Sequence, residues 1–332
     1  MKMKIGITYD LRSEYLKMGY SEEETAELDK EETIDIISSV LQKAGFETEK
    51  IGHFRSLIEK LEHGSRWDIV FNISEGMFGD GRESLVPAIL DAYRLPYVFS
   101  GPATLAVSLN KYLTKRVVRD AGVPTPEFIL VNSEAGLNQD KPGFPLFLKP
   151  VSEGTGKGID DNSIVNNEEE FRKVCTSLLR KFKQPVLVEE FLPGREFTAG
   201  IIGSEKDARV IGVIEVCFVG SFNPVYSYEN KENWKGRVEY RLTEENISRE
   251  CAETALRVWS TIGAHDAGRV DLKVGKNGRV QFVEVNPLAG MNANYSDLPI
   301  LARMHGMEFQ ELIEEIMKAA IKRIFNKTWV KK

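Results

Sequence analysis

Residues 269–287, Arg269-Val-Asp271-Leu-Lys-Val-Gly-Lys-Asn277-Gly278-Arg-Val-Gln-Phe-Val-Glu284-Val-Asn286-Pro287, read as two β-strands joined by a tight turn. Asn-Gly is a favoured two-residue hairpin turn because both positions tolerate left-handed backbone. A turn there sets Val270 opposite Val285, Leu272 opposite Val283 and Val274 opposite Gln281, a mostly apolar side suited to a core. The other side pairs Asp271 with Glu284 and Arg269 with Asn286. Two carboxylates facing each other across a sheet repel, and a divalent cation between them removes that cost. Asn286 adds a carbonyl oxygen on the same side, and an all-oxygen donor set suits Mg²⁺ or Mn²⁺. An exposed face on which Arg269 screens the acids fits the same pattern. A bulged three-residue loop would break the register.

Two segments upstream have the chemistry of nucleotide binding. In Phe144-Pro-Leu-Phe-Leu-Lys149-Pro-Val-Ser-Glu-Gly154-Thr155-Gly156-Lys157-Gly158 a strand ends in lysine and runs into a loop with glycine at every second position. Such a loop can curl its N–H groups toward one anion, with Thr155 adding a hydroxyl and Lys149 a charge. An ordinary turn has the same composition, and the spacing is not that of a Walker loop. In Val186-Leu-Val-Glu189-Glu190-Phe-Leu192-Pro-Gly194-Arg-Glu196-Phe-Thr198 an apolar strand meets an acidic hinge. The hinge could line an adenine slot, with Glu196 accepting from ribose; a linker of solvated acids reads equally well.

Farther out, the N-terminal third alternates strands and helices. Lys4–Tyr9, Asp68–Ile73 and Leu95–Ser100 read as strands, Glu31–Ala44 and Leu85–Tyr93 as helices, the first stopped by Gly45. That alternation predicts a parallel sheet of the Rossmann type. After a helix at Lys111–Ala121, Gly122-Val-Pro124-Thr-Pro126 forms an extended connector. Strands at Phe144–Leu148 and Val186–Glu190 flank a helix at Glu168–Lys181, and apolar stripes predict core helices at Ile247–Ile262 and Glu308–Phe325. The fold class is therefore α/β, with a mixed α+β latter part, in three domains: 1–100, 101–188 and 189–332.

Across 332 residues, 42% are hydrophobic and 28% charged, with a net charge of −6, which is globular in character. Dispersed Lys and Arg argue against a nucleic-acid footprint, and no run reaches the roughly 18 apolar residues that span a bilayer. Three scattered cysteines favour neither a disulfide framework nor a Cys metal site, so a cytoplasmic protein is expected. His53, His63, His265 and His305 show no ligand spacing.

These elements, in this order, resemble the ATP-grasp superfamily and, within it, the D-alanine–D-alanine ligase family. The resemblance runs from Asp68 to Met307 on Leu95-Pro-Tyr97, Ser100-Gly101, Lys111…Lys115 before Gly122-Val-Pro124, Lys149-Pro, Glu153-Gly154, Gly194-x-Glu196-Phe-Thr198, Gly268-Arg269-Val-Asp271 and Glu284-Val-Asn286-Pro…Gly290-Met291. It implies a Rossmann-like domain followed by a two-domain ATP-grasp fold. It also implies an ATP-dependent ligase that forms a peptide-type bond through an acyl phosphate, in peptidoglycan synthesis. By that resemblance Lys111 and Lys149 grip phosphates, and Gly154, Thr155 and Gly156 form a lid. Glu189, Glu190 and Leu192 hold adenine, Glu196 ribose, and Asp271, Glu284 and Asn286 magnesium. Arg269 and the Gly290 amide form an oxyanion pocket, Lys231 reaches the γ-phosphate, and Ser296 meets the second substrate's carboxylate. Small amino acids are the implied partners, and a homodimer the implied assembly.

Departures concentrate on the amino-acid pockets. The family's N-terminal Gly-Gly-x-Ser-x-Glu is replaced by Thr8-Tyr9-Asp10-Leu-Arg12 and a longer acidic insert, leaving Glu27, Asp29 and Glu31 as candidates for an ammonium clamp beside a plain solvated loop. Glu75 stands in a loop that carries histidine in the typical ligase, and Glu232 follows Lys231 where tyrosine is usual. Two alternatives follow, a ligase for another amino acid and amine, or a non-catalytic ATP-binding protein. A nicotinamide oxidoreductase would need a Gly-x-Gly-x-x-Gly after the first strand, which is absent.

Overall fold

The computed structural model describes residues 2–218 and 238–326. Its first sheet is parallel, with strands β1 (Lys4–Thr8), β2 (Glu47–Gly52), β3 (Ile69–Asn72) and β4 (Tyr97–Val98) in the order β2-β1-β3-β4. Around it lie α1 (Arg12–Lys17), α2 (Glu31–Lys43), α3 (Phe54–Glu62) and α4 (Leu85–Ala92). The stripe on α2, Ile34, Ile37, Val40 and Leu41, is buried against this sheet. The alternation thus yields the parallel sheet it predicts. The last strand is shorter than Leu95–Ser100 because Phe99 turns left-handed, with φ +75, and gives its amide to Asp266.

Two helices, α5 (Pro102–Leu109) and α6 (Lys111–Asp120), lead to a second, antiparallel sheet. It contains β5 (Phe128–Val131), β6 (Leu146–Pro150), β7 (Ile164–Val165) and β8 (Val186–Glu190) in the order β5-β8-β6-β7. The helix α7 (Glu168–Phe182) seals one face with Phe171, Cys175 and Leu178. A third sheet, also antiparallel, holds β9 (Glu196–Ile202), β10 (Arg209–Phe218), β11 (Val238–Leu242), β12 (Ala267–Val274) and β13 (Val280–Asn286), ordered β11-β10-β9-β12-β13. Three helices complete the chain, α8 (Glu245–Thr261), α9 (Asp297–Met304) and α10 (Phe309–Asn326). Cys251, Ala255, Val258 and Trp259 of α8 pack under the third sheet. The stripe of α10 joins the core of the first sheet, so both ends of the sequence share one apolar cluster.

The β12–β13 hairpin corrects the expected register in an instructive way. The Gly278 amide bonds the Gly275 carbonyl at 3.0 Å and Gly278 has φ +74, so the turn centres on Lys276-Asn277 and is one residue longer than a two-residue loop. The pairs beyond it are therefore Val274 with Val280 and Leu272 with Phe282, not with Gln281 and Val283. A bulge between Asp271 and Leu272 then restores the offset, and Asp271 faces Glu284 and Arg269 faces Asn286. The bulge turns Val283 away from the core and into a cavity wall.

One buried ion pair ties the sheets together. Asp266, fully buried at the start of β12, accepts from Arg323 Nε and Nη2 of α10 at 2.8 and 2.6 Å and from the Phe99 amide at 2.8 Å. Removing one partner of such a pair leaves an uncompensated buried charge. Arg323→Met should therefore cost about 3 kcal/mol, measured as a lowered midpoint of thermal unfolding. An unchanged midpoint would show that the pair holds nothing together.

Candidate active site

On β12 and β13 the paired residues form one polar face. Asp271 accepts from Thr198 Oγ1 of β9 at 2.9 Å and from the Arg269 guanidinium. Asn286 Nδ2 lies 3.4 Å from both an Asp271 and a Glu284 carboxylate oxygen, so the three side chains converge. Arg269 Nη1 also lies 3.6 Å from Asp297, whose other oxygen accepts from Tyr240 at 2.7 Å. Burial alone would lower the Arg269 pKa, but Asp271, Asp297 and Glu284 together hold it above the ordinary value. Gly268 is fixed by packing, since a Cβ there would come 2.4 Å from the Asn286 carbonyl oxygen. Among the described residues no group of three His, Cys, Asp or Glu side chains is placed to ligate a metal. The donor set on this face is two carboxylates and an amide, which fits a hard, oxygen-seeking cation completed by ligand oxygens or water.

Adjacent to this face, between the second and third sheets, a cavity of about 100 Å³ is walled by Phe147, Ile159, Phe191, Leu192 and Val283. Its floor is charged. Glu189 lies between Lys115 at 2.7 Å and Lys149 at 3.0 Å, all three buried. Burial holds the Glu189 carboxyl up, but the two lysines outweigh it and its pKa falls. Burial, helped by Lys149, brings Lys115 down to about 8. Two ammonium groups on one carboxylate leave an excess of positive charge facing the slot. Lys111 lies 3.6 Å from Glu284, Lys273 bonds Glu196 at 3.0 Å, and Glu190 pairs with Lys276 at 3.2 Å. The glycine-rich loop closes the cavity, with left-handed backbone at Thr155, Gly156 and Gly158.

A larger cavity, about 330 Å³, opens on the other side of Glu284. It reaches Gly290, where a Cβ would come 2.9 Å from Ser296 Oγ, and that hydroxyl accepts from the Asn292 amide at 3.0 Å. The N-terminal insert borders it, and its three acids separate. Glu31 is exposed. Glu27 is buried and holds the glycine-rich loop, accepting from the Gly154 amide at 2.8 Å, Lys157 at 2.9 Å and Arg82 at 2.7 Å. Burial opposes ionisation of Glu27, but Arg82 and Lys157 overcome it and set its pKa at about 2. Asp29 faces the cavity with Glu75 and Glu83. Lys231 lies outside the described residues.

Sequence reasoning missed Lys115 as a partner of Glu189, and the whole Glu27–Arg82–Lys157 cluster. Lys115 carries a signal, because it falls one helical turn after Lys111 on the same face. Glu27 and Gly154 meet across 127 positions, which no local pattern encodes.

A family profile described as D-ala D-ala ligase C-terminus matches residues 117–318. The chain is 34% identical to the D-alanine–D-alanine ligase of Aquifex aeolicus over 85% of its own length and 92% of that protein. It is 31% identical to the corresponding ligase of Thermotoga petrophila over 86% of its length and 90% of that protein. Among solved structures, a D-alanine–D-alanine ligase from Bacillus anthracis complexed with ATP superposes with a TM-score of 0.73 at 22% identity, covering 98% of this chain and 99% of that one. The VanG D-Ala:D-Ser ligase of Enterococcus faecalis gives the same score at 18% identity, covering 96% and 100%. The fold is that of these ATP-grasp ligases, and the chain belongs to the D-alanine–D-alanine ligase family.

Proposed function

We propose that this protein is an ATP-dependent, ADP-forming carboxylate–amine ligase of the D-alanine–D-alanine type, with D-alanine as its reference substrate. The observation that carries the reading is the convergence of Asp271, Glu284 and Asn286 at the junction of two cavities, one with buried lysines and a glycine-rich loop, the other large enough for amino acids. No helix among the described residues is long and apolar enough to cross a membrane. A cytoplasmic site of action, a homodimer and a place in peptidoglycan synthesis go with this reading and rest on the family alone.

In this reading ATP enters the smaller cavity, its base against Phe191, Leu192 and Val283, near Glu190. Glu196 meets the ribose. Lys111 and Lys149 grip the phosphates, and Gly154, Thr155 and Gly156 cover them. Lys115 and Glu189 act beneath, by fixing the direction of Lys149. Asp271, Glu284 and Asn286 would hold Mg²⁺ or Mn²⁺, which when bound neutralises charge on the transferring phosphoryl group. A substrate carboxylate oxygen bonds to the γ-phosphorus as the bond to the β–γ bridging oxygen breaks, releasing ADP. The amine nitrogen of the second substrate then attacks the acyl carbon, and the tetrahedral oxyanion is received by Arg269 and the Gly290 amide. The nitrogen gives up a proton to the departing phosphate as the intermediate collapses, the C–O bond to phosphate breaks, and the amide is left. Asp271 and Asp297 aim Arg269, while Ser296 and Lys231 serve the second carboxylate and the γ-phosphate.

Phosphate release from Mg-ATP with D-alanine, and a dipeptide by mass spectrometry, are the expected outcome; ATP bound but never hydrolysed with any amino acid would contradict ligase activity. Glu284→Gln should lower turnover at least about a hundredfold with the protein still folded, and near-normal turnover would sink the metal assignment. Arg269→Ala should reduce kcat by about a hundredfold while the KM for ATP stays within a few-fold. A defect confined to ATP affinity would move Arg269 out of the oxyanion pocket.

A further inference from the structure

The glycine-rich loop turns at its tip on a residue unsuited to the turn. The Lys157 amide bonds the Gly154 carbonyl at 3.0 Å, and the residues between, Thr155 and Gly156, have φ +51 and +70. Positive φ at both central positions is the backbone of a type I′ turn, which favours Gly, Asn and Asp. A β-branched residue there is strained, and such strain persists only where the surroundings hold it. Among the described residues neither the Thr155 nor the Gly156 amide donates to a protein acceptor, and both residues line the smaller cavity.

What holds the turn comes from the N-terminal third. One oxygen of Glu27 accepts from both ends of the turn, the Gly154 amide at 2.8 Å and Lys157 Nζ at 2.9 Å. Gly154 permits that approach, since a Cβ there would come 3.0 Å from the same oxygen. The other Glu27 oxygen accepts from Arg82 Nη2 at 2.7 Å, and Arg82 Nη1 donates to the Ser152 carbonyl at 2.9 Å, just before the turn. Both side chains of the pair are only 9% exposed. Lys157 also meets Glu153 at 2.6 Å, so it serves two carboxylates, and Arg82 supplies the charge that Glu27 would otherwise lack. Arg82 is itself placed by the loop after β3. Gly76, left-handed at φ +69, bonds Asp10 through its amide, and a Cβ on it would come 2.6 Å from the Arg82 carbonyl oxygen.

We infer that Arg82 and Glu27 are positioning residues for phosphate binding. They hold the 154–157 turn in its strained form and so keep the Thr155 and Gly156 amides for the terminal phosphates of ATP. Both act through the loop, without touching the nucleotide. The inference rests on the nucleotide part of the ligase reading. It adds that the phosphate cover is set by segments that also wall the larger cavity, which Glu27 lines.

The test is calorimetric titration of the full chain with Mg-ATP and, separately, with AMP, which has the base, the ribose and the first phosphate but not the terminal ones. Arg82→Met should weaken Mg-ATP about tenfold or more and AMP by less than about twofold. Adding Thr155→Gly to Arg82→Met should recover about threefold or more of the lost Mg-ATP affinity, because glycine adopts positive φ unaided. Damage to the fold would weaken both nucleotides alike, and the second substitution would not mend it. That result, an Mg-ATP affinity unchanged by Arg82→Met, or no recovery in the double variant would each overturn the inference and leave the ligase reading standing. If Arg82→Met does not fold, Glu27→Gln, which keeps the shape and removes the charge, takes its place with the same pair of expected shifts. Failure of the unaltered protein to bind Mg-ATP would overturn the nucleotide reading, and the inference with it.

Discussion

Asp271 and Glu284 face each other on adjacent strands, and like charges so placed repel unless a positive charge meets them. Much of the surrounding structure answers that demand. Arg269 pairs with Asp271 from two residues away, Lys111 approaches Glu284 from the start of α6, and the Asn286 amide bridges the two acids. Each brings a further group with it. Arg269 engages Asp297 at the head of α9, and Lys111 fixes the carbonyl of Glu153 in the glycine-rich loop at 2.5 Å. The acids that would receive a cation are thus also the point at which the two cavities are joined.

A second, drier arrangement repeats the logic beneath the nucleotide slot. Glu189 on β8 lies diagonally across from Lys149 on β6, since Phe147 is its direct partner in the ladder, and Lys115 reaches in from α6. Neither lysine could stay charged at that depth alone, and neither could the glutamate. Together they keep the ammonium groups charged and nearly immobile, which suits them to phosphate more than flexible surface lysines would be. On the opposite side of the loop Glu27 uses the same device with the signs exchanged, one carboxylate between Arg82 and Lys157. The glycine-rich loop is held from the second sheet on one side and from the N-terminal insert on the other.

The parallel sheet, the core helices and the pairing of Asp271 with Glu284 were legible in the sequence, but not for equally sound reasons. The stripes on α2, α8 and α10 follow helical period and bury as that period demands. The acid pair came out right because two offsets cancel, a turn one residue longer than expected and a bulge of one residue. The bulge does leave a trace. On β13 the buried residues are Val280, Phe282 and Val285, so the period of two slips once, just before Glu284. What could not be read is the set of contacts between distant segments, Glu27 with Gly154, Lys115 with Phe282, Asp266 with Arg323. Each joins elements whose relative placement is decided by packing of whole sheets, not by local pattern.

That difference explains why reaction type is easier to read than substrate. The phosphate and acid residues lie on strands whose alternation fixes direction, so residue type and spacing carry the chemistry. The larger cavity is bounded by an insert and by loops, where direction is set only when the sheets come together. Asp10, Asp29, Glu75 and Glu83 are ordinary polar letters in the sequence, and as a composition they suggest a solvated surface. Folded, Asp10 is buried and bonded to Tyr15 at 2.8 Å and to the Gly76 amide at 3.0 Å, which draws the insert and the loop after β3 together. The same bonds bring the remaining acids to one wall.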